Sequence, residues 1–358
     1  MRILQVIPSL NVAGAETMCV NLSVELSRLG EDVSVLCLYD CKTKNTDILE
    51  KANIPVFSLG KKSGLDISMI SAIRKHLKKM KPDVIHIHLN LLKYVIPAAL
   101  GLKIKVIMHT VHSVAQHEGC KSDRIVNRIA YKLSLVKPVA LSRAIRHTVA
   151  DVYGIKEKKI PIVYNGGDLN SCKPKESYSI DGHCKILHIG RFAKVKNHAG
   201  LIDAFEKVYK NKADVHLWLV GDGVLKNKIE NVVKEKHLAE NVKFWGVQNS
   251  VYDILNSADI FVLPSHYEGI PLTITEAMGS GLPIIATRVG GIPDMIVDGL
   301  NGILIEDSPE DLRKAISLLV EDEDLREKLG REALKRSLMF SSATMAEQYR
   351  DLYIKYTK

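Results

Sequence analysis

Several things are missing from this 358-residue chain, and each absence excludes a class of protein. No run reaches the eighteen apolar residues of a membrane-spanning helix. The opening MRILQVIPSL meets Pro8 too early for a signal peptide, so a cytoplasmic protein is expected. The six cysteines, Cys19, Cys37, Cys41, Cys120, Cys172 and Cys184, contain no C-x-x-C pair and no zinc-finger spacing. They read as reduced, mostly buried thiols. Aromatic residues are 6% of the chain and form no stacking module, which argues against nucleic acid as a partner. No G-x-G-x-x-G is present, which disfavours a nicotinamide oxidoreductase.

What is present is ordinary for a soluble enzyme, with 46% hydrophobic and 25% charged residues. At about 150 residues per domain, the length predicts two domains. Strand and helix patterns alternate throughout, from strand Arg2–Ile7 and helix Glu16–Leu29 to a last first-half strand at Ile162–Tyr164. Residues 165–184 are rich in turn formers and read as a linker. A second series follows, from strand Lys185–Ile189 to helical segments near the end. The expected class is α/β, with two parallel-sheet halves and ligands at the carboxyl ends of strands.

The net charge of +9 is unevenly spread. Residues 1–165 hold 25 Lys+Arg against 13 Asp+Glu, and the second half is slightly acidic. Arg74, Lys75, Lys78, Lys79 and Lys81 accompany Met69, Ile70, Ile73 and Leu77 in an amphipathic basic helix. Arg124, Arg128 and Lys132 form a second stripe. An anionic membrane surface is the expected partner of this half, against the plainer reading of a wet helix face.

The chemistry concentrates in the second half. Glu268-Gly-Ile-Pro-Leu-Thr-Ile-Thr-Glu276 follows strand Ile260–Leu263 and enters a helix at Pro271. The first amides, at Leu272 and Thr273, form a positive helix end that favours an anion. Glu276 lies about 6 Å deeper along the axis. Two carboxylates beside an anion site suit a molecule with hydroxyls at both ends and phosphate between them. Gly190-Arg191 and Lys196-Asn197 add cations that would neutralise a diphosphate. Taken separately, these features also read as a capping loop and a solvated basic loop. The turns Gly221-Asp222-Gly223 and Gly290-Gly291 are weak signals alone. The one Asp-x-Asp-like run, Asp322-Glu323-Asp324, falls between helices and reads as surface, so no metal site is expected.

Together these blocks resemble the retaining glycosyltransferases of family 4. The resemblance rests on GRFAKVKN (190–197), LVGDG (219–223), FWG (244–246) and PSHYEGIPLTITEAMGSGLPIIATRVGGIPDMIVDGLNGILI (264–305). In the first half it rests on PSLNVAGAE (8–16), PDVIHIHL (82–89), VIMHTVHS (106–113) and VYNGGD (163–168). It covers nearly the whole chain and implies the GT-B fold, two Rossmann-like domains facing across a deep cleft. Residues 1–165 would form the acceptor side and 166–340 the nucleotide-sugar side, with helix 341–358 packing back on the first domain.

The resemblance places the nucleotide ribose on Glu276, the donor sugar on Glu268 and the diphosphate on Arg191 and Lys196. It adds Gly14, Val247, Ile270, Leu272 and Thr273 to the donor contacts, Val247 through its backbone. Ala13 stands where many relatives have a second glycine. His112 is the histidine expected near the donor sugar, with His109 second. Glu268, His112, Arg191 and Lys196 are the candidate catalytic residues. His86 and His88 share a strand face, without a third ligand for a metal. The implied activity is transfer of a sugar from a nucleotide diphosphate sugar, with UDP favoured, to a lipid-linked or polysaccharide precursor. Retention would proceed on one face of the sugar, with no cofactor and no metal. A silent partner subunit and a nucleotide-sugar epimerase of the same fold are the alternatives.

Overall fold

A computed structural model of the chain describes residues 1–11, 14–40, 42–116, 118–212, 214–248 and 250–358. Val12, Ala13, Cys41, His117, Ala213 and Asn249 lie outside the described residues, and with them the expectations placed on Ala13 and Cys41.

Two units divide the chain, Met1–Gly167 with Ser342–Lys358, and Asp168–Ser341. The first runs β1 (Arg2–Ile7), α1 (Gly14–Arg28), β2 (Asp32–Cys37), α2 (Lys44–Lys51), β3 (Val56–Ser58) and α3 (Ser68–Met80). It continues β4 (Val84–His88), α4 (Leu92–Ala99), β5 (Val106–Val111), α5 (Lys121–Lys132), β6 (Lys137–Ala140) and α6 (Arg143–Tyr153). The second runs β7 (Cys184–Ile189), α7 (His198–Asn211), β8 (Val215–Val220), α8 (Lys226–Glu235), β9 (Val242–Gly246), α9 (Tyr252–Ser257) and β10 (Ile260–Leu263). It ends with α10 (Leu272–Gly279), β11 (Ile284–Thr287), α11 (Ile292–Met295), β12 (Ile303–Ile305), α12 (Pro309–Glu321) and α13 (Glu323–Ser337). Helix α14 (Ser342–Thr357) then returns to the first unit.

Each sheet has six parallel strands, ordered β3-β2-β1-β4-β5-β6 and β12-β11-β10-β7-β8-β9. Both are the doubly wound order, which reverses direction once. The reversal lies between β1 and β4 in the first sheet and between β7 and β10 in the second. Such strands are covered on both faces, so their sequences are apolar runs without alternation. In β10, Ile-Phe-Val-Leu is wholly buried.

Helix ends follow local chemistry. Lys81 in the left-handed region and Pro82 stop α3. The Ser142 hydroxyl accepts the Ile145 N–H to start α6, and Gly154, at φ 63°, ends it. Asp322 accepts the Leu325 N–H at the start of α13. The acidic run at 322–324 therefore begins with a helix cap.

Two expectations are corrected. Ile162 makes a single bridge to Ala140, so Ile162–Tyr164 is not a strand. Most of the expected linker is a strap fixed to the second unit. The Tyr178 hydroxyl donates to the Gly281 carbonyl at 2.8 Å, and the buried Arg326 guanidinium donates twice to the Tyr178 carbonyl. Lys175 pairs with Asp259 at 3.1 Å. Polar, turn-rich composition hid these long-range partners.

In the first unit, α14 buries Tyr349 and Tyr353. The Tyr353 hydroxyl meets His86 Nδ1 at 2.6 Å, His86 Nε2 meets Thr110 Oγ1 at 2.7 Å, and Thr110 meets the Tyr349 hydroxyl at 2.7 Å. This satisfies a row of buried polar groups that would otherwise oppose folding.

Candidate active site

In the second unit, the loops after β7 and β10 leave adjacent strands at the reversal point, where parallel sheets bind ligands. The first loop carries Gly190, Arg191 and Lys196. Its main chain is seated on the turn after β8. The Gly190 N–H donates to the Val220 carbonyl, and the Phe192 N–H to that of Asp222. A Cβ on Gly221 would overlap the Gly190 carbonyl, and one on Gly223 would lie 2.6 Å from that of Phe192. The short glycine turn is thus a seat for the Arg191 loop. Asn197, at φ 53°, accepts the Gly200 N–H and opens α7 directly after Lys196.

The second loop carries Glu268. Its carbonyl accepts the Gly291 N–H, and a Cβ on Gly290 would overlap the same oxygen. The Gly290-Gly291 pair therefore sets the Glu268 loop through close backbone approach. The two loops are joined by the His266 N–H donating to the Val195 carbonyl at 2.8 Å. Lys196 Nζ reaches Glu268 Oε1 at 2.6 Å, and the Ser265 hydroxyl donates to that same oxygen at 2.6 Å. Both charged side chains are mostly buried. Arg191 is exposed, and its guanidinium makes no ion pair among the described residues.

Helix α10 begins after Pro271, whose extended backbone leaves the Leu272 and Thr273 amides without intrahelical acceptors. The Thr273 hydroxyl is buried and unpartnered. Glu276 sits deeper in the helix beside Asp168, Cys172 and Tyr252. Burial first, and then the Asp168 carboxylate, push its carboxyl up to about 7. Burial likewise pushes the Cys172 thiol up to about 12. The Tyr252 hydroxyl donates to the Asp168 carbonyl at 3.2 Å. The Ile270 side chain is buried and faces Gly291, which leaves only its main chain for a ligand. Val247 is exposed after β9.

The structure thus brings Lys196 and Glu268 into contact, adds Ser265, and places Glu276 in a second acidic cluster. The sequence reading missed Ser265, Asp168, Cys172 and Tyr252. Ser265 stands three residues before Glu268, a readable spacing. Cys172 Sγ contacts the Glu276 carbonyl from 104 residues away, which no local pattern reveals.

Gly14 and His112 belong to the first unit. Gly14 opens α1 with free space around its Cα. His112 Nε2 lies 3.1 Å from His88 Nδ1, and His88 Nε2 lies 2.9 Å from Gln5 Oε1. Burial pushes His112 down to about 3. His109 is fully buried between the Tyr131 hydroxyl and the Leu89 carbonyl, and is a structural residue rather than a second donor-site candidate. His86 is held in the α14 network. Among the described residues, no three His, Cys, Asp or Glu side chains are grouped to hold a metal ion.

Comparison with known proteins bears on the family and the fold. Residues 173–336 match the family described as glycosyl transferases group 1, and residues 12–171 match glycosyltransferase family 4. The chain is 30% identical over 319 residues to N-acetyl-alpha-D-glucosaminyl L-malate synthase of Bacillus anthracis, covering 80% of this chain and 78% of that one. It is 28% identical to the UDP-Gal:alpha-D-GlcNAc-diphosphoundecaprenol alpha-1,3-galactosyltransferase of Escherichia coli, covering 81% and 79%. Anabaena HepE, solved in complex with UDP, shares the fold at TM-score 0.82 and 19% identity, over 99% of this chain and all of that one. The chain belongs to glycosyltransferase family 4 and is a glycosyltransferase of the GT-B fold.

Proposed function

We propose that the enzyme transfers a sugar from a UDP-sugar to a hydroxyl of a lipid-linked or polysaccharide precursor, with retention at the anomeric carbon and without metal. The observation that carries this reading is the Lys196–Glu268–Ser265 network beside the open end of α10. It sets a fixed cation and a fixed carboxylate at the sheet's reversal point. Support for the nucleotide comes from HepE, solved with UDP, and for the acceptor from the E. coli relative, whose name specifies a diphosphoundecaprenol acceptor.

In this reading the bond from the anomeric carbon to the diphosphate oxygen breaks, leaving an oxocarbenium-like sugar. Arg191, Lys196 and the Leu272 and Thr273 amides stabilise the charge on the departing diphosphate. The acceptor hydroxyl attacks from the face that the diphosphate leaves, and its proton passes to the leaving oxygen. Glu268 orients the donor sugar through its hydroxyls, Glu276 accepts from the ribose, and His112 lies near the donor sugar as a neutral ring. Gly14 allows close backbone approach, and Val247 meets the base through its main chain. In this reading the transfer takes place in the cytoplasm.

Calorimetry with UDP, GDP, ADP and CDP, each with and without EDTA, tests the donor side. The expected result is UDP binding that EDTA leaves unchanged and Lys196→Ala removes. Binding of no nucleotide, or binding lost with EDTA, overturns it. Proton NMR of the first-formed glycoside tests retention, and an inverted anomeric centre overturns that step.

A further inference from the structure

The first unit carries a surface that the donor chemistry does not use. Helices α3, α4 and α5 pack in sequence on one side of its sheet, while α1, α2 and α14 pack together. Right-handed crossovers put these two groups on opposite faces. From Ser68 to Lys137 the chain has thirteen lysines and arginines and three acids, Asp83, Glu118 and Asp123. Two of those acids each offset a lysine of the thirteen, Lys93 and Lys105, and leave the helix-face cations unpaired with them. Glu118 is buried, Asp123 is buried against Lys93 at 2.9 Å, and Asp83 pairs with Arg2 and Lys105. Lys75, Lys78 and Lys79 on α3, and Arg128 and Lys132 on α5, are exposed.

Helix α5 adds a feature that a merely solvated basic face lacks. Ile125, Ile129 and Leu133, spaced four apart, are 61%, 52% and 65% exposed. They form one stripe about 12 Å long. The opposite side of the helix is buried through Asp123, Asn127, Ala130 and Tyr131. An apolar row flanked by cations is the pattern of a helix lying in a lipid headgroup layer. Its charge complements anionic lipid, with the cations outnumbering the acids on this layer.

We propose that the α3–α5 layer docks on an anionic bilayer, with Ile125, Ile129 and Leu133 entering the headgroup region and Arg128 and Lys132 meeting lipid phosphates. This rests on the reading of a lipid-linked acceptor, which such docking would bring to the enzyme.

The test is co-sedimentation of the full chain with vesicles of phosphatidylcholine alone and with about a third phosphatidylglycerol. Binding to the anionic vesicles is expected, weakening as salt rises. Ile125→Ser/Ile129→Ser/Leu133→Ser and Arg128→Glu/Lys132→Glu are each expected to weaken it about tenfold or more. These positions are solvent-exposed, so both variants should keep the wild-type circular dichroism and UDP titration. No vesicle binding by wild type, or equal binding by the variants, overturns the proposal. Retention on heparin without vesicle binding also overturns it, in favour of a soluble polyanion. Turnover of a water-soluble acceptor separates the two readings. If turnover persists without vesicle binding, only the docking surface fails, whereas vesicle binding without turnover on any acceptor leaves the surface standing and removes the transfer reading.

Discussion

Lys196 and Glu268 are 72 residues apart in sequence, and their Nζ and Oε1 atoms are 2.6 Å apart. The pair joins the loops on either side of the second sheet's reversal point. Removing the cation leaves a mostly buried carboxylate that still accepts from the Ser265 hydroxyl. Lys196→Ala should lower kcat/KM by on the order of 10²–10³-fold while the fold survives. Steady-state kinetics beside a thermal melt measures both. Wild-type turnover in this variant would take Lys196 out of the donor site.

Glu276 makes stability depend on pH in a defined direction. Its carboxyl titrates near 7 in the folded chain, against an ordinary 4.5. The folded state therefore keeps a proton that the unfolded state has lost. This contribution is full below about 4.5 and is lost as pH rises through about 7, costing on the order of 3 kcal/mol. Glu276→Gln should remove the dependence, so its stability relative to wild type rises between those limits. Urea melts at a series of pH values check this, and parallel pH profiles for the two proteins would contradict it.

Two glycines separate fold from function. Gly290→Ala forces a Cβ onto the Glu268 carbonyl at φ 54°. It should cost about 1–3 kcal/mol and weaken nucleotide binding together with stability. Gly14→Ala meets no atom within 4 Å. It should melt as wild type does while transfer falls, if the backbone there approaches the donor. Unchanged transfer in Gly14→Ala would return that glycine to a loop role.

The histidines divide similarly. His109→Ala opens a buried cavity and strands the Tyr131 hydroxyl and the Leu89 carbonyl. A loss of about 2–4 kcal/mol is expected in chemical denaturation. His112 is half-buried, and His112→Ala should lower turnover more than stability. The reverse ranking would identify His112 as the structural ring.

Much of this was readable from the chain. Buried parallel strands are apolar runs, and glycine and proline mark where helices stop, so the alternation of β and α elements is visible. Helix α4 is masked in the sequence by Pro97 inside it, and α2, Lys-Asn-Thr-Asp-Ile-Leu-Glu-Lys, has too few apolar positions to show a period. The Glu268 and Lys196 loops announced themselves through residue type. The surroundings of Glu276 did not, because Asp168, Cys172 and Tyr252 arrive from distant segments. The segment 168–184 was misread for the same reason, since the strength of Tyr178 lies in Arg326 and Gly281.

The return of α14 to the first unit also bears on the order of folding during synthesis. The second unit is continuous in sequence, but the first is split around it. Domains made first usually fold first. Here His86 and Thr110 emerge early and wait for Tyr353 and Tyr349, which are translated after the whole second unit. The half that begins the chain is therefore the last to be finished, and a nascent chain halted before Ser342 should carry a completed second unit beside a first unit with open polar partners in its core.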